Sequence, residues 1–216
     1  MKSDTLFMNI STDQVIISDW ETSIFLQRND VEKTLWPKLV QMTHEWNYKN
    51  VIVLNWPGGF TNLRVGTLCL NILNTLLDNK FSFYDISKVD LYKKAHEQWV
   101  LPRYWIIYIW QKRNIRLRDF EKNEKIWQYS FNELENLDKM KDAENVFIED
   151  VEKEDYYPEW MNKYVKYNIS FDWNNISLIS NKTTGLNVFS VNKSECRESK
   201  SIAPNYMMEP SITMNK

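Results

Sequence analysis

The chain has 216 residues, 43% of them hydrophobic and 26% charged, which allows one large or two small globular domains. Its 27 basic and 29 acidic residues give a net charge of −2, which excludes an overall basic field for binding nucleic acid. RNA would be contacted only locally or through a partner. The two cysteines and two histidines have no metal-ligand spacing, so we expect no metal site built from them. We also expect no cofactor.

The first residues lead directly into a strand-like segment and show no signal-peptide pattern. No apolar run approaches the roughly 20 residues that a membrane-spanning helix needs. We therefore expect a cytoplasmic protein that does not bind membranes.

The first hundred residues alternate short apolar runs with segments of helical periodicity. The predicted elements are strands at 5–11, 15–20 and 23–28, a helix at 30–47, a strand at 51–54, a helix at 62–78, a strand at 81–86 and a helix at 89–98. The three closely spaced strands predict an antiparallel meander, and the uniformly apolar run at 51–54 predicts a buried parallel strand. This order is that of an α/β protein with an RNase H-like mixed sheet, the half-unit of actin-like ATPases.

Local signals refine the two long helices. Asn29 and Glu32 predict a capping box for the first, and Pro37 predicts a kink inside it. The second carries more leucine and isoleucine than one face can hold, which predicts that its outer face is covered by something other than its own sheet.

After residue 100 the pattern changes, so we expect an N-terminal subdomain at 1–100 and a smaller, divergent one at 101–216 that includes a C-terminal return segment. The predicted elements of the second are a hairpin of strands at 103–111 and 115–120, a helix at 131–140, a strand at 145–149, a helix at 158–167 and weak strands from 168 onwards, including 186–191.

Residues 56–66 form the most specific motif, Trp-Pro-Gly-Gly-Phe-Thr-Asn-Leu-Arg-Val-Gly, placed between a buried strand and the second helix. It resembles the hallmark of the TsaB (YeaZ) family, Gly-Pro-Gly-Ser-Phe-Thr-Gly-Leu-Arg-Ile-Gly. The identical positions are Pro57, Gly58, Phe60, Thr61, Leu63, Arg64 and Gly66. Weaker resemblance at 6–12, 35–37, 103–111 and 203–207 extends the similarity over nearly the whole chain. The chain departs from the family pattern at Asn9, where relatives have Asp, and at Trp56, Gly59 and Asn62.

The resemblance implies a two-subdomain, actin-like protein without a usable ATP site. Such a protein binds a TsaD-like catalytic paralogue and, with a TsaE-like ATPase, supports transfer of threonylcarbamoyl to the tRNA adenosine beside the anticodon. It is thus a non-catalytic scaffold that meets tRNA only indirectly, and its two N-terminal helices form the partner surface or a homodimer contact. The partner-binding residues expected here are Leu35, Trp36, Leu39, Arg64, Leu68, Ile72 and Thr75. The family-motif loop comprises Pro57, Gly58, Gly59, Phe60, Thr61, Leu63 and Gly66.

Alternatives remain open at several of these residues. The loop at 57–61 is either a tight turn with Thr61 as N-cap or a phosphate cradle, and the absence of a lysine favours the turn. Arg64 pairs either with a partner or within the chain. Gly66 allows close approach of the chain's own sheet or of a partner helix. Asn9 is either a polar turn residue or the remnant of a phosphate loop, in which case the chain would be a degenerate actin-like ATPase or phosphotransferase.

Overall fold

The computed structural model describes residues 4–11, 14–19, 21–45, 47–55, 60–109, 114–122, 126–141, 143, 145–148, 158–163, 165–172, 177–182, 185–190 and 196–204. These residues form two units. The first contains the described residues up to Leu91 together with those from Ser190 onwards, and the second contains Tyr92–Asp172 and Ser177–Phe189. The division differs from the predicted one because the C-terminal segment belongs to the first unit.

The described elements are numbered here in chain order. The strands are β1 Thr5–Asn9, β2 Gln14–Ser18, β3 Ser23–Gln27, β4 Asn50–Asn55, β5 Ser82–Ser87, β6 Tyr104–Ile109, β7 Asn114–Asp119, β8 Ile126–Tyr129, β9 Asn145–Ile148, β10 Val165–Asp172, β11 Ser177–Lys182, β12 Gly185–Ser190 and β13 Arg197–Ser199. The helices are α1 Val31–Glu45, α2 Phe60–Leu76, α3 Lys88–Glu97, α4 Phe131–Glu135 and α5 Asp138–Lys141.

The first unit is built on a six-stranded sheet in the order β13-β5-β4-β1-β2-β3. Strands β1, β2 and β3 form an antiparallel meander, whereas β1, β4 and β5 are parallel. The predicted α/β class, the meander and the buried parallel strand are therefore confirmed. Strand β13 was not predicted; it adds to the edge of β5 in antiparallel orientation, with Arg197 opposite Asp85.

The starts of α1 and α2 differ from the prediction. Helix α1 begins at Val31, and the carbonyl of Asp30 accepts hydrogen bonds from the amides of Lys33 and Thr34. The residue before the helix is thus Asp30, and the predicted capping box of Asn29 and Glu32 is wrong. Helix α2 already begins at Phe60, so Thr61 lies in its first turn and is not the N-cap.

Helix α2 lies close to the sheet at Gly66. A Cβ added there would lie 2.5 Å from Cγ2 of Ile10, a fully buried residue just after β1. Real Cβ atoms do not approach other atoms so closely, so only glycine fits without a shift of its neighbour. Gly66 therefore faces the interior of its own chain, and the close neighbour is a side chain of the sheet layer.

The second unit contains a seven-stranded sheet in the order β12-β11-β10-β9-β6-β7-β8. The predicted hairpin is confirmed as β6 and β7, which pair antiparallel. The single helix predicted at 131–140 is two short helices, α4 and α5, and Ser130 and Glu133 form a capping box at the start of α4. The helix predicted at 158–167 is wrong, since the described residues form a 3₁₀ turn at Glu159–Lys163 and then β10 from Val165.

Candidate protein-interaction site

Helix α2 has two apolar faces. The inner one is buried, with Leu63 and Leu70 each 1% exposed. The outer one carries Leu68, Ile72 and Leu76, which are 59%, 43% and 65% exposed. These three residues are spaced four apart, so they lie one above the other on one side of the helix. We call them the outer stripe. The expectation that one face cannot hold all the apolar residues of this helix is confirmed.

Helix α1 contributes less to this surface than predicted. Leu35 and Leu39 were expected at a partner surface, but both are 0% exposed and belong to the core of this chain, so that prediction is wrong. They share their face with Val31 and Met42, which makes it the face that the fold itself buries. Of the α1 residues predicted at the site, only Trp36 remains, and it is partly exposed.

A cavity of about 640 Å³ borders the outer stripe and shares Leu68 with it. It brings together the first turn of α1, one side of α2 and the C-terminal part of the first unit. Among the described residues its lining consists of Glu32, Thr61, Arg64, Val65, Thr67, Leu68, Asn71 and Pro204. The predicted residues Arg64 and Leu68 are thus together at one cavity, whereas Thr75 is exposed further along the helix.

The C-terminal segment 196–204, called the strap below, is attached to this region at two points. At the sheet edge, Nε and Nη2 of Arg197 donate to the two carboxylate oxygens of Asp85 at 3.2 and 2.9 Å. On α2, the side-chain amide of Asn71 donates to the carbonyl of Ile202 at 2.8 Å and accepts from its N–H at 2.9 Å. Sequence analysis missed both contacts. Asn71, a polar residue in an apolar helix, was the one available signal.

The motif loop is only partly described. Pro57, Gly58 and Gly59 lie outside the described residues, so the choice between a tight turn and a phosphate cradle stays a prediction. Thr61 is partly exposed in the first turn of α2. Leu63 points into the core.

Asn9 ends β1 and is 0% exposed. Its side-chain oxygen accepts hydrogen bonds from the N–H of Ser11 at 2.9 Å and from the hydroxyl of Ser11 at 2.6 Å. The amide oxygen thus closes a local turn, as the polar-turn interpretation predicts.

Other titratable groups take part in structural contacts. Nδ1 of His96 lies 3.0 Å from the carbonyl of Leu101, and its ring stacks on Phe120. Burial raises the pKa of the Cys69 thiol, which keeps it in the less reactive protonated form.

Over the described part of the chain, no group of three or more His, Cys, Asp or Glu side chains is placed to bind a metal ion. Within the same residues, no helix has both the length and the apolar character that crossing a membrane requires.

Comparison with known proteins gives similarity only at the level of solved structures. No family model matches the chain, and no curated protein matches it. The chain is similar to the structure of YeaZ from Pseudomonas aeruginosa, with 15% sequence identity and a TM-score of 0.45, over 67% of this chain and 74% of that one. It is also similar to an uncharacterized protein with similarity to peptidase YeaZ from Pseudomonas aeruginosa. In that case the identity is 12% and the TM-score 0.40, over the same shares of the two chains.

Proposed function

We propose that this chain is a non-catalytic scaffold protein that binds a TsaD-like catalytic paralogue. In that role it supports, together with a TsaE-like ATPase, the threonylcarbamoyl modification of the tRNA adenosine beside the anticodon. The proposal includes an actin-like arrangement of two subdomains, a cytoplasmic location and no direct contact with tRNA. It is motivated by the motif at 56–66, which opens the helix that carries the outer stripe.

The exposure of the outer stripe is the observation that supports this proposal most strongly. Leu68, Ile72 and Leu76 are each more than two-fifths exposed. An exposed leucine alone is ordinary, but a row of three on one helix face is typical of an interaction surface. Each such side chain gains on the order of 1 kcal/mol or more when a partner covers it. A helix from a partner would bury the row along its whole length.

The contacts of Asn9 favour a scaffold over an ATPase. A phosphate-binding turn of the actin-like kind needs a carboxylate that organises a cation, and a neutral amide is a poor replacement. The oxygen of this amide is also already bonded to Ser11. Titration calorimetry with Mg-ATP should therefore detect no tight binding by the isolated protein. Micromolar binding would favour the alternative, a degenerate ATPase or phosphotransferase.

A homodimer is the second candidate, because the outer stripe is also complementary to itself. Two copies of α2 packed antiparallel around Ile72 would place Leu68 of one copy beside Leu76 of the other. Light scattering of the isolated protein measures this directly. A stable dimer that the TsaD-like paralogue does not dissociate would favour a stand-alone interaction module.

The direct test of the proposal is co-expression with the TsaD-like paralogue from the same genome. We expect the two chains to purify together and to elute as one complex with a mass equal to the sum of both chains. Elution as two separate species at micromolar concentrations would contradict the proposed function.

A further inference from the structure

We propose that the edge of the first sheet at β3 is a self-association surface, where β3 pairs with β3 of a second copy of this chain. The two strands run antiparallel about a twofold axis at Phe25, and the two sheets join into one. We call the outward side of Ser23–Gln27 the β3 edge. This inference goes beyond the proposed function, since the β3 edge and the outer stripe have no residue in common.

The two edges of the first sheet are built differently. Among the described strands, β13 lies at one end of the sheet and β3 at the other. Strand β13 has three residues, of which Arg197 and Glu198 are charged, and short charged edge strands discourage pairing with another chain. The β3 edge has five residues and no charge, and its central side chain, Phe25, is 52% exposed. It therefore lacks the features that protect the sheet at β13.

The backbone of the β3 edge is placed for further hydrogen bonds. Residues in an antiparallel pair alternate between bonding to the partner strand and pointing away from it. The N–H of Asp19 donates to the carbonyl of Thr22 at 3.0 Å, which makes these two a hydrogen-bonded pair at the turn between β2 and β3. Alternation from this pair along β3 directs the backbone groups of Ile24 and Leu26 towards β2 and those of Phe25 away from it. No further described strand meets them there.

The side-chain order of the β3 edge indicates that a second copy is the occupant. The residue types read the same in both directions, polar at the ends, aliphatic next to them and aromatic at the centre: Ser23, Ile24, Phe25, Leu26 and Gln27. In an antiparallel pair about the central residue, polar ends meet polar ends and aliphatic residues meet aliphatic ones. The two phenylalanines lie opposite each other, and cross-strand aromatic pairs stabilise a sheet.

Charge does not oppose this pairing. The first charged residue after the strand is Arg28, which is exposed. In the antiparallel arrangement it lies near Thr22 of the second copy, at the end opposite to the other Arg28. Six residues of extended chain separate the two guanidinium groups by roughly 20 Å, about twice the distance over which salt screens exposed charges.

The size of the contact predicts that it is weak. Five residues from each copy bury far less than the roughly 800 Å² per partner of a standard interface. We therefore expect a Kd on the order of 100 µM, well above the micromolar concentrations at which binding of the TsaD-like paralogue is measured. Such a contact forms where copies are held close together, because their local concentration then exceeds the Kd.

Sedimentation velocity of the full chain over a range of about 10 to 500 µM tests the inference. Phe25→Lys and Phe25→Glu each place like charges opposite each other in the pair, so each variant alone should remain a monomer. An equimolar mixture of the two variants should associate again, because opposite charges then face each other. Recovery in the mixture requires that position 25 faces position 25 of the second copy.

Two control variants separate the β3 edge from other surfaces. Glu198→Lys changes the charge at the other edge of the sheet, and Ile72→Asp places a charge in the outer stripe. Both should associate with a Kd within about twofold of that of the unchanged protein. Amide exchange at Phe25 should slow as the protein concentration rises, which contact between side chains alone would not cause.

Three results would overturn the inference: a chain that stays monomeric up to about 500 µM, association that both charged variants retain, or a mixture that does not associate. If only Ile72→Asp prevents association, the copies meet through the outer stripe, and the inferred surface is wrong. If the charged variants do not fold, Phe25→Thr decides, since an unchanged Kd would exclude the β3 edge. No part of this test uses the TsaD-like paralogue, so its failure is distinct from failure of the proposed function.

Discussion

Helices α1 and α2 pack next to each other in the first unit, yet their outward faces differ in kind. The outer face of α1 is polar, and a chain of hydrogen bonds runs along it from Lys38 to Gln41 at 3.2 Å and from Gln41 to Glu45 at 2.8 Å. The outer face of α2 carries Leu68, Ile72 and Leu76 instead. Both helices bury their inner faces against the same unit. The apolar outer face of α2 is therefore not a requirement of the fold.

Helix α1 has the residue pattern expected of a helix in this unit that packs only against its own chain. Apolar residues occupy its buried side, and charged or amide side chains that interact three or four residues apart occupy the other. Compared with α1, helix α2 exposes three additional large apolar side chains, those of the outer stripe. The predictions below test this difference, from the largest expected change to the smallest.

The largest effect on stability should come from Leu39→Ala on the inner face of α1. Leu39 is 0% exposed, and truncating a buried leucine leaves a cavity, which costs about 2–5 kcal/mol of unfolding free energy. Urea unfolding followed by circular dichroism measures the loss. A change below about 1 kcal/mol would show that this face is not the packed core.

Gly66→Ala should destabilise the inner face of α2, although alanine is the better helix former. The gain in helix propensity is about 1 kcal/mol, but the new Cβ would lie 2.5 Å from Cγ2 of buried Ile10. Overpacking of this kind costs about 1–3 kcal/mol, and we expect a net loss of stability. The double variant Gly66→Ala, Ile10→Ala removes the clashing Cγ2, so its loss of stability should be smaller than the sum of the two single losses if Ile10 is the neighbour that clashes.

Tyr48→Phe tests how the chain just beyond α1 is held to the sheet. The Tyr48 hydroxyl donates to the carboxylate of Asp19 at 2.8 Å, and the ring is 1% exposed. Hydrogen bonds to charged groups contribute about 1.5–3 kcal/mol when buried, and because Asp19 is only partly buried we expect a loss of about 1–2 kcal/mol.

The loss should depend on pH. Burial alone would raise the pKa of Asp19, but hydrogen bonds from the N–H groups of Glu21 and Thr22 and from the Tyr48 hydroxyl bring it below its ordinary value. A lowered folded-state pKa contributes stability above the unfolded pKa of about 4, and this contribution disappears as the pH falls through the folded value. The difference between Tyr48→Phe and the unchanged protein should therefore shrink in acid. A constant difference would show that lost packing is the cause.

The smallest stability change should come from Leu76→Ala on the outer stripe. Leu76 is 65% exposed, so its truncation removes little buried surface, and the unfolding free energy should stay within about 0.5 kcal/mol. The comparison with Leu39→Ala is direct, because the residue types are the same and only the face differs. A loss similar to that of Leu39→Ala would mean that the chain itself covers the outer stripe.

The sequence was most informative where a pattern repeats over many residues. Uniform apolar runs and long helical periodicity predicted β4, α1 and α2 and the order of elements in the first unit. Periodicity cannot assign a face to the interior, however, and the resemblance that places Leu35 and Leu39 at a partner surface does not say which face of α1 the chain itself buries. Apolar residues four apart satisfy a sheet and a partner helix equally well.

Elements that depend on distant partners were the hardest to predict. Strand β13 consists of three polar residues and forms by pairing with β5. Its Arg197 lies opposite Asp85, which is 112 residues earlier in the chain. No local pattern marks such a strand, because its stability comes from the edge that it joins. In the second unit, the segment at 158–167 contains residues that suit a helix, but its last part pairs with β9 as strand β10. The contacts of the strap with the rest of the first unit, and its position at the cavity, could therefore be identified only from the structure.

The central claim is that the outer stripe of α2 binds a TsaD-like partner, and one matched pair of variants tests it most directly. Ile72→Asp places a charge in the middle of the outer stripe, whereas Gln41→Asp places the same charge on the polar outer face of α1. Calorimetric titration with the TsaD-like paralogue should show that Ile72→Asp abolishes binding and that Gln41→Asp does not, while circular dichroism shows that both proteins remain folded. Equal affinity of the two variants for the paralogue would contradict the claim.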